Sequence, residues 1–196
     1  MSRGIDASES LTNVAQKLKS EKGLDFVSRY YSCNAAKNLS EVEAKALSAA
    51  GLYIVTVWET NPTDIAYFTQ SQGFQDACRA EKMANDVGQP HGTPIYFAVD
   101  TDVPGAGPVS EYFDGLNKTG MAGHAPYSVG VYGSGLVCSH LRAAGLANHT
   151  WLAQSKGWSG YGDLKNPSIV QGGGVDMFGI SVDMDTAFGN GGGWRL

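Results

Sequence analysis

Pro94-Ile95-Tyr96-Phe97-Ala98-Val99-Asp100-Thr101-Asp102 is the stretch on which the fold turns. Its apolar run, Ile95–Val99, has no helical period and reads as a strand buried on both faces. Alternation puts Tyr96, Ala98, Asp100 and Asp102 on one face, and Ile95, Phe97 and Val99 on a wholly apolar other face that calls for a layer of helices. Two carboxylates at the end of such a strand are costly to place and suited to acid/base work.

Similar strands recur outward from this one. Gly4-Ile5-Asp6-Ala7, Phe26–Ser32 and Tyr53–Glu59 precede it, and Tyr127–Gly133, Thr150–Gln154, Ser168–Gln171 and Ile180–Asp185 follow. Helical stretches lie between them. Leu11, Val14, Ala15 and Leu18 form an apolar stripe stopped by Gly23, and Ser40 with Glu43 has the capping-box spacing of a helix that ends at Gly51. Further helices are expected over residues 71–87, 109–116 and 136–144, whereas the last two connections are short and Gly-rich. Eight alternations predict a single-domain (β/α)8 barrel over residues 1–196, with short or missing helices after the last strands. A doubly wound sheet is the rival, but Gly130–Gly135 lacks both the phosphate-loop and the dinucleotide pattern.

Composition narrows the function. At 196 residues, 42% apolar and 17% charged, the chain can bury a sizeable core. A net charge of −5 argues against a nucleic-acid surface or a polybasic membrane anchor. Cys33, Cys78 and Cys138 are too few and too scattered for a disulfide framework or a zinc site, and are expected as reduced core residues. No signal-peptide region follows Met1 and no stretch would span a membrane, so cytoplasmic synthesis is expected, with non-classical export or release by lysis as the ways out.

In a barrel the strand ends meet at one face. Asp6, Glu59, Asp100, Asp102, Asp183 and Asp185 are acids at four such ends, with Arg29, Tyr132, Gln154 and Gln171 in or at the ends of other strands. Several carboxylates with aromatic and amide side chains suit glycoside hydrolysis, in which one carboxyl donates a proton and another stabilises or activates from the far side. Crowding would raise the pKa of one of Asp100, Asp102 or Glu59. Trp58, Tyr132 and Trp151 offer flat faces for sugar rings, against the alternative that a strand tryptophan packs under a helix. Arg29 is a candidate binding residue, or else a buried counter-charge to Asp6 or Glu59. His91, His124, His140 and His149 show no metal spacing and read as surface residues. No cofactor is expected; Mg2+ or Ca2+ on Asp100, Asp102, Asp183 and Asp185 is the metal rival. Ser134 lacks the setting of an activated nucleophile.

The chain resembles the DUF1906 (Rv2525c-like) glycoside-hydrolase-like domains, which are related in fold to the family 25 lysozymes, or muramidases. The resemblance is carried by Gly4-Ile5-Asp6, Phe26–Tyr30, Leu39–Glu43, Ala50–Glu59, Pro94–Asp100, Val129–Gly133, Trp151–Gln154 and Val182–Asp185, almost the whole chain in order. It implies a barrel with peptidoglycan or a related glycan as substrate. It also implies that Asp6, Asp100 and Asp183 match acidic positions of the family 25 site. Asp102 stands where those lysozymes have a glutamate acid, one methylene short, so Glu59 is the other candidate acid. A cell-wall glycosidase, with Glu59 or Asp102 as acid and Asp6, Asp100 and Asp183 as partners, is the leading expectation. The alternatives are a glycan-binding domain that keeps the pocket without turnover, and a metal-dependent enzyme acting on phosphate or acyl bonds. A phage lysin, a housekeeping protein and a delivered toxin with its own immunity protein are equally compatible settings.

Overall fold

The computed structural model describes residues 1–118 and 126–196. Eight strands close into one barrel in chain order: β1 (Ser2–Asp6), β2 (Phe26–Tyr31), β3 (Tyr53–Trp58), β4 (Pro94–Ala98), β5 (Ser128–Gly133), β6 (His149–Leu152), β7 (Ile169–Met177) and β8 (Ile180–Ala187). Helices α1 (Ala15–Ser20), α2 (Glu41–Ala49), α3 (Gln70–Val87), α4 (Gly107–Leu116) and α5 (Gly135–Ala143) follow β1 to β5 in turn. No helix among the described residues follows β6 or β7, and none is long and apolar enough to cross a membrane.

The strand alternation sets two apolar layers. Ile95, Phe97 and Val99 belong to the outer one, where Phe97 meets Tyr112 and Phe113 of α4 at ring-centroid distances of 6.4 and 6.5 Å. Tyr96 and Ala98 turn inward to join Phe26, Val55, Val57, Trp151, Ile169 and Ala187. This interior is filled by pairing large with small. A Cβ on Gly4 would stand 2.4 Å from the Phe26 ring, so only glycine fits beside that aromatic. The tail closes the far end: Trp194 pairs with Ile54 of β3, and the Tyr96 hydroxyl donates to the Gly191 carbonyl at 2.8 Å.

The last strand departs from the expected barrel. β8 runs antiparallel to both β7 and β1, because a two-residue turn, Phe178-Gly179, joins β7 to β8 as a hairpin. Both turn residues have positive φ, 58° and 81°, as the tight turn matching strand twist requires. Met177 and Val182 of this hairpin are buried in the outer apolar layer, where a helix would otherwise lie.

Three further expectations are corrected. Glu43 lies at the capping-box position, and its N–H does donate to Ser40 Oγ at 3.2 Å, but its carboxylate turns away to Arg29. Cys33 and Cys78 are exposed and only Cys138 is buried; all three are free thiols. His149 is partly buried, its ring centroid 6.2 Å from that of Tyr96, and burial lowers its pKa. His124 lies outside the described residues.

Candidate active site

The C-terminal ends of the parallel strands frame a polar cavity of about 180 Å3. Asp6 from β1, Tyr30 from β2, Glu59 just after β3, Asp100 after β4 and Tyr132 from β5 line it. Trp151 and Gln154, Gln171 of β7 and Asp183 of β8 complete the wall, with Val57 and Ala98 between them. Asp183 reaches the mouth from the opposite chain direction, since β8 descends where the other strands rise. It stands directly across from Asp6 in the β1–β8 ladder.

One hydrogen-bond chain joins most of these groups. Tyr30 Oη donates to Asp6 Oδ1 and Gln171 Nε2 donates to Asp6 Oδ2, both at 2.9 Å. Tyr132 Oη donates to Gln171 Oε1 at 2.9 Å and lies 3.4 Å from Asp100 Oδ1. Glu59 is ion-paired with Lys37, Oε1 to Nζ at 2.6 Å, and that ammonium sits 5.4 Å from the centre of the Tyr30 ring.

Burial controls the acids. It pushes the Asp6 carboxyl up to about 6, against the lowering effect of its Gln171 and Tyr30 hydrogen bonds and with the added repulsion of Asp183 and Glu59. Asp100 is also raised, by burial and then by Glu59, with Tyr132 and Lys37 opposing. Asp183 is raised by burial. Burial likewise pushes up the Tyr30 and Tyr132 hydroxyls, followed by the charges of Asp6 and Asp100 respectively, so both phenols stay hydrogen-bond donors.

Several expected site residues are not in the cavity. Asp102 misses it because β4 ends at Ala98 and alternation lapses; its carboxylate instead accepts from Ser159 N at 3.0 Å and Ser159 Oγ at 3.1 Å. Arg29 points outward from β2, fully buried, and pairs with Glu43 of α2 through Nε–Oε1 at 2.7 Å and Nη2–Oε2 at 3.2 Å. It also donates to the Ala7 carbonyl. It is a buried counter-charge, but to Glu43 rather than to Asp6 or Glu59. Trp58 packs in the outer layer under the helices, having the opposite strand parity to Val57. Asp185 lies one layer below the cavity, 2% exposed, with Ser28 Oγ 3.4 Å from Oδ2. Burial and then Asp6 hold its pKa well above the usual range. Trp151 is a floor residue, 1% exposed, its ring edge-on to Tyr132 at 5.3 Å, so it offers no sugar platform. The amide of Gln171 is taken up by Asp6 and Tyr132. Among the described residues no group of His, Cys, Asp and Glu has an arrangement that would hold a metal, and Asp102 is engaged by Ser159.

Tyr30, which lines the cavity, and Lys37, which pairs with Glu59 at its wall, are the residues that sequence reasoning missed. Tyr30 shares its strand face with Ser28 and Phe26, and parity anchored on an inward Phe26 would have found it. Lys37 sits in the β2–α2 loop, where no pattern marks it.

A closed eight-stranded barrel with acids from β1, β8 and the ends of β3 and β4 around one cavity defines a glycoside hydrolase-like barrel domain. The chain belongs to the family of Rv2525c-like, glycoside hydrolase-like domains, whose model matches residues 16–187. It is 30% identical over 209 residues to FadG of Bacillus subtilis (strain 168), an alignment covering 94% of this chain. This chain spans only about a third of that relative, 36% of its length. The fold is similar to that of the Mycobacterium tuberculosis Tat-secreted protein Rv2525c, solved with L-tartrate, with a TM-score of 0.82 at 21% identity over 99% of both chains. The modular autolysin LytC of Streptococcus pneumoniae, solved with a synthetic peptidoglycan ligand, has a TM-score of 0.62 at 18% identity, covering 94% of this chain and 46% of LytC.

Proposed function

We propose that this domain is a glycosidase of muramidase type acting on bacterial cell-wall glycan. The observation that carries the reading is the set of raised acids around one cavity, Asp6, Asp100 and Asp183, the first two joined through Gln171 and Tyr132. LytC, similar in fold, is solved with a synthetic peptidoglycan ligand, which supports the substrate class.

The roles follow from the partners each acid already has. Asp100 is half-buried and raised, and among the described residues its carboxylate receives a long contact from Tyr132 alone, so it has an oxygen free to give its proton to the leaving glycosidic oxygen. Asp183, on the β8 side of the mouth, serves as the second carboxyl that two-carboxylate hydrolysis needs. Asp6 has both oxygens engaged, so it supplies field to a developing oxocarbenium ion rather than a proton. Glu59 is committed to Lys37 and fits a charge-stabilising role better than that of the acid.

Digestion of purified peptidoglycan, followed by analysis of new reducing ends, tests this. The protein is expected to release muropeptides, Asp100→Asn to lose on the order of a hundredfold or more in rate, and Asp102→Asn to keep wild-type turnover. No new reducing ends from the wild-type protein refutes hydrolysis, and an Asp102→Asn loss matching that of Asp100→Asn refutes the assignment.

A second reading, glycan binding without turnover, is favoured by one observation. Both acids marked out by the sequence are occupied, Asp102 by Ser159 and Glu59 by Lys37. Protein that sediments with cell wall while releasing nothing would select it.

A further inference from the structure

β7 is nine residues long, yet β6 pairs only with its start, Trp151 with Ile169 and Leu152 with Val170. Beyond Val170, among the described residues, β7 is laddered to β8 alone. The chain that leaves β6 is drawn away instead of covering that edge. Ser159 N and Oγ donate to Asp102, and Leu136 N donates to the Ser159 carbonyl at 2.9 Å. The result is an open strand edge, Gly172–Asp176, bordering the cavity. Gly174 marks the border, since it pairs with Asp183 and a Cβ there would stand 3.1 Å from Asp183 Oδ1.

The edge carries three successive glycines, and the fold does not ask for all of them. Gly174 makes room for Asp183, and a Cβ at Gly172 would come 3.2 Å from the Met184 carbonyl oxygen. At Gly173 a Cβ would meet nothing within 4 Å, and its φ is not in the left-handed region. The one-residue bulge between Gln171 and Gly174 does not demand glycine without such a φ. A glycine inside a strand costs about 0.5–1 kcal/mol relative to alanine, so Gly173 weakens the strand with no local return. Strand edges are commonly guarded against association by charge or proline, and a bare glycine is the opposite of a guard. What it permits is close approach of a ligand to backbone N–H and C=O groups.

We propose that the Gly172–Asp176 edge is a rim subsite for an extended glycan. One sugar lies flat against the bare backbone at Gly173, its hydroxyl or acetamido groups bonded to the free main-chain groups, while its neighbour enters the carboxylate cavity. This rests on the glycosidase reading and adds the place outside the cavity where a neighbouring sugar of the glycan is held. A glycan fits better than an added peptide strand. Strand addition needs an unbroken ladder, and the bulge breaks this short edge, whereas a sugar needs only one or two backbone groups.

The test compares wild type with Gly173→Leu and Gly162→Leu. Gly162 is exposed, has open space at its Cβ and lies outside the cavity lining, so it controls for added bulk. Binding is measured by sedimentation with purified sacculi and by calorimetry with glycan strands stripped of stem peptides. Gly173→Leu is expected to melt like wild type yet bind both probes roughly tenfold more weakly, about one hydrogen-bonded contact's worth, while Gly162→Leu binds normally. Should the leucine variant not fold, Gly173→Ala carries the same comparison. The proposal is overturned if the Gly173 variant binds like wild type, if Gly162→Leu loses as much, or if the loss is confined to peptide-bearing sacculi. Wild-type protein that binds neither probe removes the glycosidase reading itself, a result distinct from the other three.

Discussion

Replacing Asp6 with asparagine should make the protein more stable at neutral pH, although Asp6 sits at the heart of the candidate site. Its carboxyl moves from 3.8 to about 6 on folding, chiefly through burial. A raised acid binds its proton more tightly in the folded state, so its contribution is complete below pH 3.8 and is lost as pH rises toward 6. At pH 7 the ionised group therefore opposes folding by about 3 kcal/mol. Asparagine removes that charge and relieves Asp185, whose carboxyl Asp6 helps to raise. It keeps an acceptor for Tyr30 but meets Gln171 Nε2 donor to donor, a loss of about 1 kcal/mol. The net expectation is a gain of about 2 kcal/mol at pH 7, or roughly 4–8 °C in melting temperature for a chain of this size. Urea denaturation at a series of pH values measures it, with unchanged m-values as the check on two-state behaviour. The gain should shrink as pH falls below 6, vanish roughly between pH 4 and 5 where the charge penalty no longer exceeds the lost hydrogen bond, and become a loss of about 1 kcal/mol below pH 3.8. A variant less stable than wild type at pH 7, or a gain that does not depend on pH, refutes the reasoning.

The remaining predictions concern the scaffold. Glu43→Gln strands the fully buried Arg29 charge and should cost about 3–5 kcal/mol in denaturant unfolding. Glu41→Gln, which breaks only the exposed pair with Lys45, should change stability by less than about 1 kcal/mol, and equal losses would contradict the burial argument. Gly4→Ala forces a methyl into the Phe26 ring and should cost at least about 1–3 kcal/mol. Phe26→Leu in the same chain should recover part of that loss, which thermal melts of the single and double variants would show.

What separates these residues also separates what could be read locally from what could not. In β4 the two faces differ in kind, one wholly apolar and one ending in acids, so alternation alone put Ile95, Phe97 and Val99 under the helices and Asp100 in the cavity. In β2 both faces are aromatic and polar, and the inward one is picked out by the neighbouring strand, where Phe26 fills the space left by its register partner Gly4. That is why Arg29 was drawn toward the site and Tyr30 was missed. Asp102 has the right parity on paper, but a period of two holds only while the chain remains a strand, and β4 stops at Ala98.

By itself, then, the sequence determined the barrel, its helical jacket and the acids Asp6 and Asp100, because these follow from local periodicity and from where β1 and β4 end. Only the tertiary structure decided that β8 runs backward and that Asp183 reaches the mouth while Asp185 lies beneath it. It likewise decided that Lys37 claims Glu59 and that, among the described residues, the far half of β7 has no strand partner on its β6 side. Those features depend on contacts between segments far apart in the chain, such as Asp6 with Asp183, and the side-chain pattern of a strand is the same whichever way it runs.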